Sequence, residues 1–566
     1  MRSTVAAVVG FGVWFLAYGW GVWIPAQETN TEASKPKTIQ AAKPQDEACC
    51  SLSAAELAAV IDKWIEKRWQ EEMVKPTELA DDSEFVRRLY LDLVGRIPSV
   101  AEARSFLDNT SPNKRTDLIR QLLRSPGFLN HWSGLLAETW LSNGDNASVA
   151  SSQRASLQVW IREHLRLGSG YDKIVAELVS ASSSQQNFVR RPDGFYRSFG
   201  SPVAFLQANG FNPRNLAASV SRQFLGIQLD CAECHNHPFA NWKREQFWQL
   251  AAFFAGFRQE RADGQVYYTN VENPKERKIQ IPDTNITVTA RFLDGSEPNW
   301  ESAERTRELL ARWITSPTNP YFAKATVNRI WYQLMGYGLT DPPDDMHEDN
   351  PPSHPELLEA LARAFVESRF DLRYLIEAVC LSRTYQLSSR RTDPSQDNAR
   401  LFARRVVRRM TATQLWDSLV EAAYWNPSEA RVPQFFDANV FGAGVTPNNF
   451  YAQRRQAFLE RFRDAASRPV EAETSVLQVL ALMNGEAANT AVRLESSPML
   501  QMVLNYPLWD DRQRLEILFL ATLTRRPQLH EQTRFLRHLE QSAQREAAWA
   551  DVLWVLLNSP EFISHH

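Results

Sequence analysis

Apolar residues recur at helical spacing through most of the chain, and the places where that period starts and stops are marked by capping residues. Ser53-Ala-Ala-Glu56 forms the S-x-x-E capping box and predicts a helix through about Glu72. Phe85, Val86, Leu89, Tyr90 and Leu93 form one face of a helix from about Asp82 to Val94. Gly95 is placed to end it, because glycine enters the left-handed region at little cost. Ser99-Val-Ala-Glu102 then opens another capped helix. The period changes only between about Asp263 and Arg291. There Gln265–Thr269, Lys278–Ile281 and Ile286–Ala290 are β-branched, aromatic and roughly alternating, which predicts two or three short strands. Helical spacing resumes at Glu301. The expected fold is mainly α: two helical domains of helix–turn–helix units with a small β insert between them.

The pattern repeats. Leu89-Tyr-Leu-Asp-Leu-Val-Gly-Arg-Ile-Pro98 aligns with Leu518-Phe-Leu-Ala-Thr-Leu-Thr-Arg-Arg-Pro527, and the register carries Glu102 onto Glu531 and Phe106-Leu107 onto Phe535-Leu536. Leu122-Leu-Arg-Ser-Pro-Gly-Phe128 resembles Leu556-Leu-Asn-Ser-Pro-Glu-Phe562 in the same way. Two related helix–proline turn–helix–helix units are therefore expected near opposite ends of the body.

Before the body, an uncharged apolar run from Val5 to Ile24 follows Arg2. It has the length of a bilayer span and exceeds a usual signal-peptide core. Residues 1–26 are thus a signal peptide or a membrane anchor, and the protein is expected to be exported, in the periplasm or associated with the cell envelope. Residues 27–48 lack any apolar period and form a tether too polar to offset its own chain entropy. The body then divides into 49–262, a β insert at 263–300 and 301–566.

Composition narrows the classes. The 566 residues are 44% hydrophobic and 23% charged, as in a folded globular protein, and the mean hydropathy of -0.39 excludes a polytopic membrane protein. Lys+Arg 63 against Asp+Glu 66 gives a net charge of -3, without the basic excess that nucleic-acid binding requires. No Walker A, G-x-S-x-G, glycine-rich dinucleotide fingerprint or H-E-x-x-H motif occurs.

The sharpest chemical signal is Cys231-Ala-Glu-Cys234-His235. C-x-x-C-H is the spacing of c-type haem attachment: two thiols bond the haem and the adjacent imidazole ligates its iron. Two other readings stay open. Cys231 and Cys234 could pair as a disulfide in an oxidising compartment. Cys231, Cys234, His235 and His237 could hold Zn²⁺, although four ligands within seven residues crowd a tetrahedron. His131, Met335, Met346, His347 and His354 are candidates by residue type for a second axial ligand.

Three further groups carry weaker signals. The acidic stretch Asp341–Asp349 could bind Ca²⁺, or Asp344, Asp345 and Glu348 could serve a hydrolase, but a solvated loop is the expected form. Arg404, Arg405, Arg408 and Arg409 could meet an anionic partner, with a helix face paired to acidic residues as the simpler expectation. Cys380 lies in a helical pattern and reads as a small buried apolar residue, while Cys49 and Cys50 are adjacent and of undetermined pairing.

Three stretches together resemble a family of exported proteins best known from planctomycete bacteria, which carry two linked domains of unknown function, DUF1549 (cytochrome-like) and DUF1553 (PSD1). They are Phe85–Leu107, the segment from Phe224 through Cys231, Cys234, His235 and His237 to Gly256, and Asn319–Trp331 with Pro351–Leu358 and Ser382–Gln386. The resemblance implies an envelope-associated protein with a C-x-x-C-H-x-H segment and names no reaction. Relatives often place Asp between the two histidines, where this chain has Asn236. The leading expectation is a single-haem electron carrier with a redox partner protein. The alternative is a module that binds glycan or protein, with zinc or a disulfide at the same segment. No nucleic-acid partner is expected, and membrane contact would come through the N-terminal segment.

Overall fold

The computed structural model describes residues 52–141, 147–182, 188–190, 196–198, 200–237, 240–262, 265–302, 305–423, 448–462, 476–495 and 497–566. The apolar N-terminal run, the tether, Cys49 and Cys50 lie outside them. Among the described residues no helix is long and apolar enough to cross a membrane. The fold is mainly α.

Local chemistry sets the element ends. Glu56 accepts from the Ser53 backbone N–H at 2.7 Å, and Ser53 Oγ accepts from Glu56 N–H at 3.3 Å, opening the helix Ala54–Glu71. Asp81 Oδ1 caps the helix Asp82–Leu93 by accepting from Ser83 N–H and Glu84 N–H, both at 2.9 Å. Gly95 follows with φ +81°, and a Cβ there would come 2.3 Å from His131 Nδ1, so both backbone and space require glycine.

The two repeated units fold alike. Asp510 caps the helix Asp511–Leu523 as Asp81 caps its counterpart, and Thr524 takes the left-handed position of Gly95 at φ +62°. Arg96 binds Glu102 at 2.9 and 3.1 Å, and Arg525 binds Glu531 at 2.7 and 2.8 Å. Each arginine also faces a second glutamate, Glu421 at 3.4 Å and Glu561 at 2.7 Å. Ser125 and Ser559 cap the helices Pro126–Trp140 and Pro560–Ile563, each with proline in its first turn.

Strands occur as four antiparallel pairs among the described residues. The expected insert contains two hairpins, Phe257–Ala262 with Gln265–Glu272 and Lys278–Gln280 with Thr287–Thr289. It begins earlier than the apolar alternation suggests. The first strand, Phe-Arg-Gln-Glu-Arg-Ala, is polar at its four central positions and is recruited by pairing with its neighbour rather than by its own pattern. The insert is fastened to the body by buried Arg307, which binds Glu272 at 2.8 and 2.6 Å and donates to Val179 O and Ala181 O.

Two hydrophobic cores form. One draws on side chains from Leu57 to Ala403, the other on Met410 to Phe562 together with Leu91, Ile97, Val100 and Ala103. The helix Asp82–Leu93 thus serves both, and its polar residues fill the seam. Asp92, 4% exposed, accepts from Tyr385 Oη at 2.8 Å, from Arg405 at 3.2 Å and from Arg408 at 2.6 Å, and faces His565 Nε2 at 3.2 Å. Arg87 donates to Thr522 O and Phe562 O at 2.8 and 2.7 Å, and Arg88 to Tyr385 O and Leu387 O at 2.7 and 2.9 Å.

The arginine-rich stretch is therefore not a helix face. Arg408–Arg409 is a short strand paired with Ser564–His565, and Arg405 is buried. Pairing with Ser564–His565 holds the backbone extended here, and Arg405 and Arg408 both reach Asp92. Cys380 is fully buried and its thiol is pushed up by burial.

Burial alone would raise the Asp92 carboxyl, but His565, Arg405 and Arg408 outweigh it and hold the group well below the usual range. Burial also takes His565 down to about 3, so its ring is neutral at pH 7 and the arginines supply the compensating charge. Its tautomer is fixed: Arg408 Nε donates to Nδ1 at 3.0 Å, leaving the ring proton on Nε2, toward Asp92.

Two outcomes follow from this seam. Asp92→Ala strands two buried arginines without a counter-charge, and urea denaturation should show a loss of about 3–5 kcal/mol; a loss below about 1 kcal/mol would contradict the assignment. Burial likewise depresses His131, His354 and His566 to about 4. Folded pKa values below the unfolded ~6.5 mean that the unfolded chain binds more protons in between. The stability these four histidines contribute is fully present above about pH 6.5 and is lost as pH falls toward 4, by up to about 1.4 kcal/mol per pH unit for each. The melting midpoint should hold steady from pH 8 to 7 and fall steeply between 6.5 and 4.5; a flat profile would refute it.

Candidate functional site

The C-x-x-C-H segment follows the helix Pro213–Val220 and a π-helical turn at Ser221–Leu225. Gly226 ends that turn with φ +69°. A 3-10 turn then spans Leu229–Ala232. Residues three apart eclipse in such a turn. Leu229 and Ala232 accordingly point inward, fully buried, while Cys231 and Cys234 are exposed free thiols.

The turn is pinned from behind. Glu233 O accepts from Arg244 Nε at 3.1 Å and from Trp248 Nε1 at 3.0 Å, both on the helix Arg244–Ala251. Arg244 also donates to Pro282 O in the β insert at 2.9 Å, so the insert supports the arginine that holds the turn. Asn236 Oδ1 accepts from Arg244 N–H at 3.0 Å and thereby caps that helix. The side chain between the two histidines is thus tied to a helix end, and only its backbone carbonyl meets an imidazole.

The two histidines present different atoms. His235 Nδ1 lies 2.7 Å from Asn236 O; a carbonyl only accepts, so Nδ1 carries the proton and Nε2 keeps its lone pair on an exposed ring. His237 Nδ1 accepts from Ala240 N–H at 2.9 Å, so the neutral ring carries its proton on Nε2. His235 is ready to ligate through Nε2, and His237 would first have to give up its bond to Ala240. Among the described residues no group of three His, Cys, Asp or Glu side chains is gathered as a metal site.

The acidic stretch docks beside this segment, which a freely solvated loop would not do. Met346 N–H donates to Gly226 O at 2.9 Å, and Gln228 Nε2 to Asp344 at 3.3 Å. Arg222 pairs with Asp230, which directly precedes Cys231, and faces Asp344 at 3.8 Å. Arg329 donates to Arg222 O at 3.0 Å. Asn328 holds the start of the loop through both Thr340 N–H and Thr340 O. Asp344 is engaged by Arg222 and Gln228, Asp345 faces His347 at 3.6 Å, and Glu348 is exposed apart from them. Asp344 thus stands between Arg222 and Gln228.

The other sequence candidates are engaged in the fold. His131 lies half-buried against Gly95, and Met335 Sδ accepts from Arg405 Nη1 at 3.7 Å. His354, 3% exposed, faces Ser353 Oγ at 2.9 Å at the start of the helix Pro355–Glu367. Met346 packs against Gly226, where an added Cβ would sit 2.8 Å from its sulfur. Asp92, Arg222 and Asp230 escaped the sequence reading. The available signal was a charge inside an apolar run, Leu91-Asp92-Leu93, and a charge directly beside Cys231.

Residues 60–259 match PSCyt2, a protein of unknown function (DUF1549), and residues 306–539 match PSD1, a protein of unknown function (DUF1553). The chain belongs to the proteins built on this pair of domains. No curated protein and no solved structure matches it. The thiol–imidazole segment comes from the first matched region and the acidic loop from the second, so the site spans both.

Gly226→Ala should loosen that junction. It forces a side chain into the left-handed region, at about 1–2 kcal/mol, and pushes on Met346. Hydrogen exchange across residues 340–350 should speed up relative to the helices around it; unchanged exchange would show that the contact does not hold the loop.

Proposed function

We propose that the protein carries one c-type haem on Cys231, Cys234 and His235 and exchanges single electrons with a partner protein in the cell envelope. The observation that carries this reading is the His235 ring, whose Nδ1–H is held by Asn236 O while Nε2 stands exposed beside two exposed thiols. When bound, the haem supplies a one-electron couple. Cys231 and Cys234 would anchor it covalently, and His235 would ligate through Nε2. The hydrogen bond from Nδ1 fixes the tautomer and raises the basicity of the ligating nitrogen. Arg244 and Trp248 keep the turn from moving, which lowers the reorganisation that a change of charge demands. The exposed position suits electron exchange with an external protein.

The test is a pyridine haemochrome spectrum of denatured protein, exported in a host that matures c-type cytochromes. Covalent haem should be present and should vanish in the Cys231→Ala/Cys234→Ala double variant. His235→Ala should change the absorption of the folded protein by removing the nitrogen ligand. Absence of covalent haem beside a matured control cytochrome would overturn the proposal. Zinc content and thiol titration would then decide between the metal and disulfide forms of a glycan- or protein-binding module.

A further inference from the structure

A second surface carries its own chemistry, and none of its residues belongs to the thiol–imidazole segment. It is a groove of about 710 Å³ between the helix Val100–Leu107 of the first repeated unit and the helices Pro498–Asn505 and Asp511–Leu523 at the second. Ligand pockets generally occupy roughly 300–1,000 Å³. One wall is aromatic: Tyr506 and Trp509 pack against each other with ring centroids 4.3 Å apart at 39°, and Met502 also lines the groove. Tyr506 is 42% exposed. Leaving so much aromatic surface in water has a cost that a packed turn would avoid.

The helix across from it lines the groove with Val100 and Ala101 and brings in polar groups from Arg104, Ser105 and Asp108. Their charges are already balanced. Arg104 faces Glu516 at 3.6 Å, Arg526 faces Glu516 at 3.2 Å, and Arg526 binds Asp108 at 2.6 Å. Two arginines and two carboxylates sum to zero, so the groove offers hydrogen-bond donors and acceptors without a net field. The aromatic turn is held in place beforehand. Arg514 donates to Val503 O at 2.8 Å and Tyr506 O at 3.2 Å, and Asp510 caps the next helix just after Trp509. A ligand therefore meets a platform that needs little ordering, which favours binding.

We infer that this groove binds a neutral oligosaccharide, with a sugar ring laid on the outer face of the Tyr506–Trp509 pair and its hydroxyls turned to Arg104, Ser105 and Asp108. A pyranose has a flat C–H face and a hydroxyl edge, matching the aromatic pair and the polar groups set among apolar residues across from it. The charge balance disfavours an anionic polymer, which would need uncompensated arginines, and the polar groups disfavour a purely apolar partner.

Isothermal titration calorimetry of the full-length protein with cellohexaose, xylohexaose and chitohexaose tests this. At least one should bind, and Trp509→Ala should weaken it by about tenfold through loss of the stacking face. Ser105→Trp blocks the groove from an exposed position and should abolish binding while leaving the melting midpoint unchanged, which covers the case in which Trp509→Ala fails to fold. The Cys231→Ala/Cys234→Ala variant should bind as the wild type does, so this result stands or falls apart from the haem proposal. No heat with any of the three sugars, binding unaffected by Ser105→Trp, or preference for chondroitin sulfate would overturn the inference.

Discussion

The buried carboxylate of Asp92 is the constraint on which the remaining architecture depends. It stands where two apolar cores meet and gathers Tyr385, Arg405, Arg408 and His565, residues that are remote from it in sequence. A buried ion cluster is a weak source of net stability, because each ion must first be desolvated. Its effect is on specificity. Few other arrangements of these helices would leave the carboxylate and both arginines paired, so alternatives carry an uncompensated buried charge. Arg87 and Arg88 extend the same logic by satisfying backbone carbonyls at Thr522, Phe562, Tyr385 and Leu387. One helix face thereby fixes where the second repeated unit lies.

The repeated units show what the fold reuses and what it does not. The aspartate caps, the left-handed residue after the helix, the arginine between two glutamates and the serine–proline start recur in both copies. These are solutions to local problems, namely orphan N–H groups and a sharp reversal of chain. The seam is not repeated. Ala521 stands where the alignment places Asp92, and Ile517 where it places Arg88. The second copy meets the cluster through His565, just beyond its last helix, and through the Thr522 and Phe562 carbonyls that Arg87 binds. The asymmetry is what allows one copy to dock on the other's ion cluster instead of duplicating it.

Much of this was legible in the sequence, for physical reasons. Capping boxes at Ser53 and Ser99, the stop at Gly95 and the repeat are short-range features, set by residues within a few positions of one another. The polar strand Phe257–Ala262 was not legible, because its conformation is dictated by a partner strand and not by its own alternation. Arg405 and Arg408 were visible as a charged run but not as buried groups, since burial depended on a carboxylate in a distant helix. The C-x-x-C-H segment was visible by spacing alone. The different roles of His235 and His237 were not, because each is set by a backbone group whose position only the folded turn defines.

The pairing of the two domains in one chain has a structural basis that their boundaries hide. The second matched region starts at residue 306, yet side chains from it as far as Ala403 belong to the same core as the first region. Neither region encloses that core alone. The site follows the same rule: Arg222 and Asp230 from the first region meet Asp344 from the second directly beside the thiols. Removing the acidic loop would leave Arg222 with Asp230 alone, and Gly226 without the Met346 backbone that it binds. The turn bearing Cys231 and Cys234 is thus braced on one side by the helix Arg244–Ala251 and approached on the other by the second domain. A segment of few residues with little core of its own can then hold a fixed geometry.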